Sequence, residues 1–275
     1  MTKNQGNLKV ALLQLCSGQD KAENLKIALN LAQEAFSKGA GFVLLPEVFN
    51  FRGETGKREL LNEVAEKVPG NSVSPFIALA RKYKAFILLG SIIEKGTKTG
   101  FYNSSLVIDP SGRIAAKYRK IHLFDARIGD KIIKEAAIFS AGKKPTTVNI
   151  GPFKAGLSIC YDLRFPDLYQ HYAREQADIL TVPSCFTRKT GQAHWEALLR
   201  ARAIENLAYV LAPAQVGYDS RGIQAHGHSM IVSPWGKVLA CGSANKLEII
   251  FGRLDPQEIQ KARRALPGII RLRRQ

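Results

Sequence analysis

Short apolar runs alternate along this chain with longer segments in which apolar residues recur every three or four positions. The first pattern predicts buried strands and the second predicts amphipathic helices. The predicted strands cover residues 10–16, 42–45, 86–93, 105–108, 155–160, 179–182, 209–212, 229–232 and 247–252. The predicted helices cover residues 21–37, 74–84, 165–175, 193–206 and 256–265. Asp20 and Asp255 are placed to cap the first and the last helix.

One stretch of sequence occurs in two similar copies. Residues 40–49 (AGFVLLPEVF) align with residues 177–186 (ADILTVPSCF), and each copy follows a predicted helix. The strand before each helix ends in a cysteine, so the chain contains two strand–helix–strand halves, unless the similarity arose by chance. In α/β sheets ligand sites form at the C-terminal ends of strands. The repeat would bring four polar side chains to such ends: Glu47, Ser184, Cys16 and Cys160.

Other parts of the pattern limit the architecture. Residues 86–108 and 230–252 contain successive strands with no helix between them, which argues against a regular (β/α)8 barrel. Mixed sheets covered by helices, in a layered α/β sandwich, fit the pattern better. Residues 119–145 have no clean periodicity and are too long for a plain connector, so they form a candidate functional loop.

Composition and charge narrow the class of protein. The chain has 275 residues, of which 45% are hydrophobic and 23% charged, as expected for one sizeable globular domain. The net charge of +17 would attract nucleic acid or an anionic substrate. The basic residues are scattered, and their densest run is residues 263–274. Because no aromatic and basic platform accompanies them, we expect no nucleic-acid partner.

The cysteines and the apolar runs indicate a compartment. Four cysteines are widely spaced without a CxxC pair, which excludes the usual zinc-ribbon spacings and a small disulfide scaffold. No apolar run approaches the roughly 20 residues of a membrane-spanning helix. Residues 10–16 are too short and too polar at Gln14 for an export signal. We therefore expect a cytoplasmic protein with reduced thiols and no membrane partner.

Cys160 is a candidate nucleophile because it ends a predicted strand and precedes a predicted helix. The helix N-terminus would favour its thiolate, and the Tyr161 N–H could face a developing oxyanion. Taken alone, however, a cysteine at the end of a strand is more often a small buried hydrophobe.

Three charged residues are candidate partners of Cys160. Glu47 follows a buried strand, where apolar surroundings would raise its pKa and make it a general base, although an exposed loop carboxylate is the alternative. Lys120 could lower the pKa of a neighbouring thiol, or it could belong to a solvated basic run. Glu135 could add a second carboxylate from the same irregular loop.

Histidines suggest competing arrangements. His122 could form a nucleophile–base pair with Cys160. His226 and His228 would lie on one face of a strand, as metal ligands do, but no third ligand is evident, so structural roles are preferred. The sequence therefore predicts no metal and no organic cofactor.

Three motifs occur together in the order found in the nitrilase, or carbon–nitrogen hydrolase, superfamily. They are LLPE at residues 44–47, YRKIHLFD at residues 118–125 and SICYDLRFP at residues 158–166. The chain resembles that family from residue 10 to about residue 266. The resemblance implies a four-layer αββα sandwich of two mixed β-sheets, pairing into homodimers or larger homo-oligomers, and hydrolysis of an amide through a thioester. It also implies that the catalytic residues are Glu47, Lys120, Cys160 and Glu135.

Within this superfamily the chain is similar to the Nit branch of amidases. The stretches at residues 190–205 and 227–236 carry this similarity. The run AQVG at residues 214–217 and Met230 are closer to deaminated glutathione amidases than to ω-amidases. Gln192 and Cys185 depart from the usual Nit pattern, and the basic C-terminus is shorter. Because Cys185 follows a strand that should end at the site, we expect this departure to affect the substrate preference.

A small substrate that carries a carboxylate fits a cationic chain. Arg164 and Arg188 are candidates to bind that carboxylate, although Arg164 could instead form a structural ion pair. We expect Tyr161, Cys185 and Phe186 to contact the substrate as well. Residues 1–266 are expected to form one hydrolase domain and residues 267–275 a basic tail. The alternatives are an ω-amidase, a hydrolase of carbamoyl or nitrile groups, and a basic binding module without catalysis.

Overall fold

The computed structural model describes residues 6–54, 56, 58–96, 100–128 and 131–267. Two six-stranded sheets form its centre. In sheet order, the first consists of β14 (Glu248–Leu254), β1 (Leu8–Gln14), β2 (Phe42–Leu44), β3 (Phe86–Lys95), β4 (Phe101–Ile108) and β5 (Ile114–Arg119). The second consists of β13 (Val238–Cys241), β12 (Met230–Val232), β11 (Tyr209–Ala212), β10 (Ile179–Thr181), β9 (Phe153–Leu157) and β8 (Thr147–Ile150). A separate antiparallel pair is formed by β6 (Asp125–Ile128) and β7 (Lys131–Lys134).

Helices cover the outer faces of both sheets. They are α1 (Lys21–Ser37), α2 (Arg58–Val64), α3 (Ser74–Tyr83), α4 (Pro166–Arg174), α5 (Arg188–Asn206) and α6 (Pro256–Ala265). The strands β1 to β3 alternate between two apolar cores because both faces of the first sheet are buried. Val10 and Leu12 belong to the core between the sheets, which continues under α4 and α5, whereas Ala11 and Leu13 pack in the core beneath α1 and α3. This arrangement confirms the predicted αββα sandwich of two mixed sheets.

The repeated halves take the same local form. In the first half β1 and β2 pair in parallel, and in the second half β9 and β10 do so, each pair joined by a helix. The segments that follow β2, β9 and β10 therefore leave the sheets in one region. Cys16, at the corresponding end of β1, is exposed. Ser184 is buried, and its hydroxyl donates to the Val182 carbonyl.

Several boundaries differ from the sequence prediction. The helix expected to start at residue 193 begins at Arg188, and the strand expected to start at residue 105 begins at Phe101. The strand expected to end at Cys160 ends at Leu157, because residues 158–159 remain extended without continuing the β9 ladder. Short elements at β8, β13 and α2 were not predicted. They are brief, and β13 is only partly buried, so the apolar pattern there is weak.

The irregular segment at residues 119–145 contains the end of β5, the β6 and β7 pair, and a 3-10 turn at Glu135–Ala137. Most of the predicted basic tail, from residue 268 onward, lies outside the described residues. Within the described part of the chain, no helix is both long enough and apolar enough to cross a membrane.

Candidate active site

A cavity of about 680 Å3 lies where the segments after β2, β5, β9 and β10 meet. Strand β7 and the segment at residues 219–225 contribute to its walls. The four residues that the sequence nominates for catalysis all line it: Glu47, Lys120, Glu135 and Cys160. Residues more than a hundred positions apart therefore meet in one cavity.

Cys160 occupies a sharp turn between β9 and α4. Its N–H donates to the Pro183 carbonyl at 3.0 Å, which holds this end of the chain against the segment after β10. Its φ of 49° lies in the left-handed region, which costs a non-glycine residue on the order of 1–3 kcal/mol. The backbone then enters the 3-10 turn Cys160–Arg164. This turn directs the thiol into the cavity instead of along the sheet.

Glu47 is buried and fully hydrogen-bonded, which excludes an exposed loop carboxylate. Its Oε1 accepts from Lys120 Nζ at 3.0 Å, and its Oε2 accepts from the Cys185 N–H at 2.8 Å. The Gln215 side chain donates to the Glu47 carbonyl at 3.0 Å and fixes the backbone. Gly90 is required on the other side, because a Cβ there would lie 2.1 Å from the Leu45 carbonyl oxygen.

Lys120 lies between the two glutamates and is also buried, so it does not belong to a solvated basic run. Its Nζ lies 2.8 Å from Glu135 Oε2 and 3.0 Å from Glu47 Oε1. Glu135 begins the 3-10 turn after β7, and its Oε2 also accepts from the Phe124 N–H at 2.6 Å. Burial alone would lower the pKa of Lys120, but the charges of Glu135 and Glu47 outweigh it and raise that pKa well above its usual value. The lysine therefore remains a cation in the site.

The surroundings of Cys160 oppose the thiolate that a helix N-terminus would favour there. Burial raises the pKa of the Cys160 thiol well above its usual value, and the nearby Glu47 carboxylate raises it further. Lys120 and the Cys185 N–H act in the opposite direction but do not offset these effects. A hydrogen bond joins the Cys160 side chain to Glu47. The thiol thus keeps its proton in the resting site, with Glu47 as the acceptor next to it.

His122 does not pair with Cys160. Its Nδ1 lies 2.7 Å from Asp162 Oδ1, and its ring stacks on Phe165 at 3.7 Å between centroids. Asp162 is fully buried and also accepts from the Tyr118 hydroxyl and from the Ile159 N–H, at 2.7 and 2.9 Å. These contacts connect the segment that carries Lys120 to the turn that carries Cys160.

Predicted substrate-contacting residues lie in different places. Tyr161, Arg164, Cys185 and Phe186 line a narrow side cavity of about 20 Å3 next to Cys160. The Arg164 guanidinium lies over the Phe186 ring at 5.3 Å and lies 3.2 Å from His194 Nδ1, and it forms no ion pair with any residue that the structure describes. Arg188 is the exposed first residue of α5 and lies outside the residues that line the main cavity, contrary to the loop position expected for it.

Comparison with known proteins identifies the family. Residues 9–264 match the family described as carbon-nitrogen hydrolase. The chain belongs to the carbon–nitrogen hydrolase family. Deaminated glutathione amidase of Synechocystis sp. (strain PCC 6803 / GT-S) is 38% identical over 266 residues, covering 94% of this chain and 96% of that protein. Omega-amidase NIT2 of Homo sapiens is 36% identical over 262 residues, covering 95% and 93%.

A solved structure agrees with these relatives. The crystal structure of Saccharomyces cerevisiae Nit3, described as a member of branch 10 of the nitrilase superfamily, has a TM-score of 0.85 and 36% identity. It covers 95% of this chain and 94% of the Nit3 chain. These similarities confirm the resemblance to the nitrilase superfamily and the prediction of a carbon–nitrogen hydrolase.

This carbon–nitrogen hydrolase has further cavity residues that sequence reasoning missed. Asn103, Arg52 and Arg221 line the main cavity beside the predicted residues. Arg52 is buried and donates to the Val216 carbonyl at 2.7 Å, so it holds the segment that forms one wall. A polar residue inside an otherwise buried strand, as at Asn103 in β4, was the signal that could have found one of them.

His226 and His228 line a separate cleft beside the N-terminal half of α5. The His226 and His228 rings lie 4.7 Å apart between centroids, and the backbone there is not a strand. Burial, followed by the charges of His228 and Arg188, lowers the pKa of His226 to about 4. Among the residues that the structure describes, no three His, Cys, Asp or Glu side chains come together to hold a metal ion.

Proposed function

We propose that this carbon–nitrogen hydrolase cleaves a small, non-peptide amide that carries a carboxylate, through a thioester on Cys160. One observation carries the proposal: the protonated Cys160 thiol, the Glu47 carboxylate and the Lys120 ammonium are in contact within one cavity. A nucleophile, a base and an electrostatic stabiliser are the groups that acyl transfer requires.

In the first step Glu47 takes the thiol proton while the Cys160 sulfur attacks the amide carbon. The carbonyl oxygen becomes an oxyanion, which Lys120 Nζ and the Tyr161 N–H stabilise. Removing one such donor typically costs about 3 kcal/mol in the barrier. The C–N bond then breaks, the nitrogen leaves as ammonia with the proton that Glu47 returns, and the acyl group stays on sulfur.

In the second step a water molecule attacks the thioester. Glu47 takes a proton from this water, and Glu135 keeps Lys120 and Glu47 aligned through its hydrogen bond to Nζ. The C–S bond breaks, the carboxylic acid leaves, and the proton returns to the Cys160 sulfur. Each proton transfer is accounted for by Glu47, so we assign no step to a metal or an organic cofactor.

The named relatives suggest the acyl group. A Synechocystis relative is named deaminated glutathione amidase and a human relative is named omega-amidase, and both align with nearly the whole chain. We propose deaminated glutathione, or a molecule like it, as the substrate, with the ω-amidase substrates α-ketoglutaramate and α-ketosuccinamate as the alternative. Carbamoyl or nitrile substrates and a binding role without catalysis remain as further outcomes of the test.

The test measures ammonia release by the purified protein from deaminated glutathione and from α-ketoglutaramate. We expect faster turnover of the first and no turnover by Cys160→Ala, with both proteins folded. Cys241→Ala is the matched control, because Cys241 lies on β13 outside the main cavity and should leave turnover unchanged. Preference for α-ketoglutaramate would make the protein an ω-amidase. Turnover that survives in Cys160→Ala would overturn the mechanism.

We also propose that the protein forms a homo-oligomer in the cytoplasm. Ile204 on α5 and Trp235 before β13 are 44% and 60% exposed. They lie on one face, since a Cβ at Gly236 would contact the Ile204 side chain. Large apolar side chains grouped on a surface are typical of contacts between subunits. All four cysteines are free, which suits a reducing compartment.

A further inference from the structure

Asn103 connects the two glutamates of the site directly. Its Nδ2 donates to Glu47 Oε1 at 3.0 Å and to Glu135 Oε1 at 3.2 Å. The Lys120 N–H donates to the Asn103 carbonyl at 2.9 Å, so the same residue also fixes the backbone that carries the lysine. Asn103 therefore contacts three of the four charged or reactive residues in the site, although it is neutral itself.

The orientation of this amide is determined by its neighbours. Both acceptors are carboxylate oxygens, so the nitrogen must face them and Oδ1 must face away. Among the described residues, Asn103 Oδ1 is buried and has no hydrogen-bond partner. A buried acceptor without a partner costs about 1–3 kcal/mol. Stability alone therefore does not explain an amide side chain at this position.

Charge balance supplies the reason. Glu47 and Glu135 share one cation, Lys120, in a buried site. Two carboxylates close together cannot both remain ionised at neutral pH without compensation, and one of them takes up a proton. A second cation would compensate, but it would also weaken Glu47 as a base. A neutral N–H donor that bonds to both carboxylates favours their charged forms and leaves Lys120 the only cation in contact with them among the described residues.

We propose that Asn103 is a positioning residue that keeps Glu47 ionised, and so able to accept the Cys160 proton, at the lower end of the working pH range. This inference rests on the proposed function, since it assigns a partner to the proposed base. Asn103 itself does not touch the reacting atoms. Its effect is therefore expected in the pH at which activity is lost and not only in the maximal rate.

The experiment compares pH profiles of kcat/KM for the unsubstituted protein, Asn103→Ala and Asn103→Asp. Losing a hydrogen bond to a charged group corresponds to about one pH unit or more, so the acidic limb of Asn103→Ala should move upward by that amount. Asn103→Asp keeps the shape of the side chain but adds a third carboxyl group to the site. The acidic limb of its pH profile should therefore move upward further than that of Asn103→Ala. Activity should recover at higher pH in both variants.

Asn50→Ala is the matched control. Asn50 is as deeply buried as Asn103, and its Oδ1 also has no partner within the described part of the chain, but its Nδ2 donates to the Ser72 hydroxyl. Its loss should lower stability without moving the acidic limb. If Asn103→Ala does not fold, the isosteric Asn103→Asp decides the question by the same profile.

The outcomes separate this inference from the proposed function. An acidic limb that stays in place, with kcat reduced equally at every pH, would overturn the role of Asn103 while Cys160→Ala remains inactive. Turnover by Cys160→Ala would instead overturn the proposed function itself. A limb that moves upward in both Asn103 variants, and not in Asn50→Ala, supports the assignment.

Discussion

Replacing Asp162 by Asn changes the buried side chain that joins the turn at Cys160 to the segment that carries Lys120. Asp162 Oδ1 accepts from the His122 N–H and Nδ1, and Oδ2 accepts from the Ile159 N–H and the Tyr118 hydroxyl. Each oxygen thus accepts from one backbone N–H, which can only donate, and from one side-chain group. These side-chain groups, the His122 imidazole and the Tyr118 hydroxyl, can also accept a hydrogen bond. The substitution keeps the shape and replaces one oxygen by an NH2 group.

The expected cost follows from this symmetry. In either orientation of the amide, the hydroxyl or the imidazole can turn to accept, but one backbone N–H is left facing another donor. A buried N–H without an acceptor costs about 1–3 kcal/mol, and the remaining bonds lose the assistance of the charge. We therefore expect Asp162→Asn to lower the free energy of unfolding by about 3 kcal/mol.

Activity should fall too, because Ile159 directly precedes Cys160. A displacement of about 1 Å at a catalytic group can cost on the order of 100-fold in rate, so we expect kcat/KM to fall 10- to 100-fold. Denaturant unfolding measures the first effect and ammonia release measures the second. Asp109→Asn is the control, since Asp109 accepts from the Ser111 and Arg113 N–H groups in a surface turn and does not line the cavity. An Asp162→Asn protein with unchanged stability and unchanged kcat/KM would refute this reasoning.

Two further predictions concern acid stability and assembly. Burial would raise the pKa of Glu94, but hydrogen bonds from Arg119, Lys117 and Ser104 lower it to about 2. Because the folded-state pKa lies below the unfolded value, this carboxylate contributes about 3 kcal/mol above pH 4.5 that is lost as the pH falls toward 2. Glu94→Gln should flatten that part of the stability profile, and an unchanged acid slope would contradict the assignment. Ile204→Glu places a charge on the proposed subunit contact, so sedimentation should show a smaller species; an unchanged sedimentation coefficient would place the contact elsewhere.

Local signals in the sequence determined the regular elements. Helix α1 has the predicted bounds, and Asp20 and Asp255 cap α1 and α6 by accepting from N–H groups in the first turn. Helix bounds and N-caps depend on residues that are neighbours in the chain, so the amino-acid sequence alone predicts them. The motif order likewise sufficed to nominate Glu47, Lys120, Cys160 and Glu135, and the structure brings these side chains into one cavity.

Other features depended on residues distant in sequence. The N-terminal half of β4 is buried although it contains Asn103 and Ser104, because their partners, Glu47 and Glu94, come from other strands and loops. Arg188 was expected on a loop before a helix at residue 193, yet α5 begins at Arg188 and includes Gly191, where a Cβ would collide with the His226 side chain.

The direction in which the pKa of the Cys160 thiol is shifted is the clearest case of a property that only the tertiary structure decided. In the sequence, Cys160 precedes a helix and has Lys120 as a candidate partner. Each of these features would lower the pKa of the Cys160 thiol. In the folded protein burial dominates, and Glu47 lies within hydrogen-bonding distance of the sulfur, so the pKa is raised. Desolvation and the charge of Glu47 arise from groups that the fold brings together, and no local pattern records their distance. The sequence therefore nominated the residues of the site, and the tertiary structure determined the surroundings that raise the pKa of the Cys160 thiol.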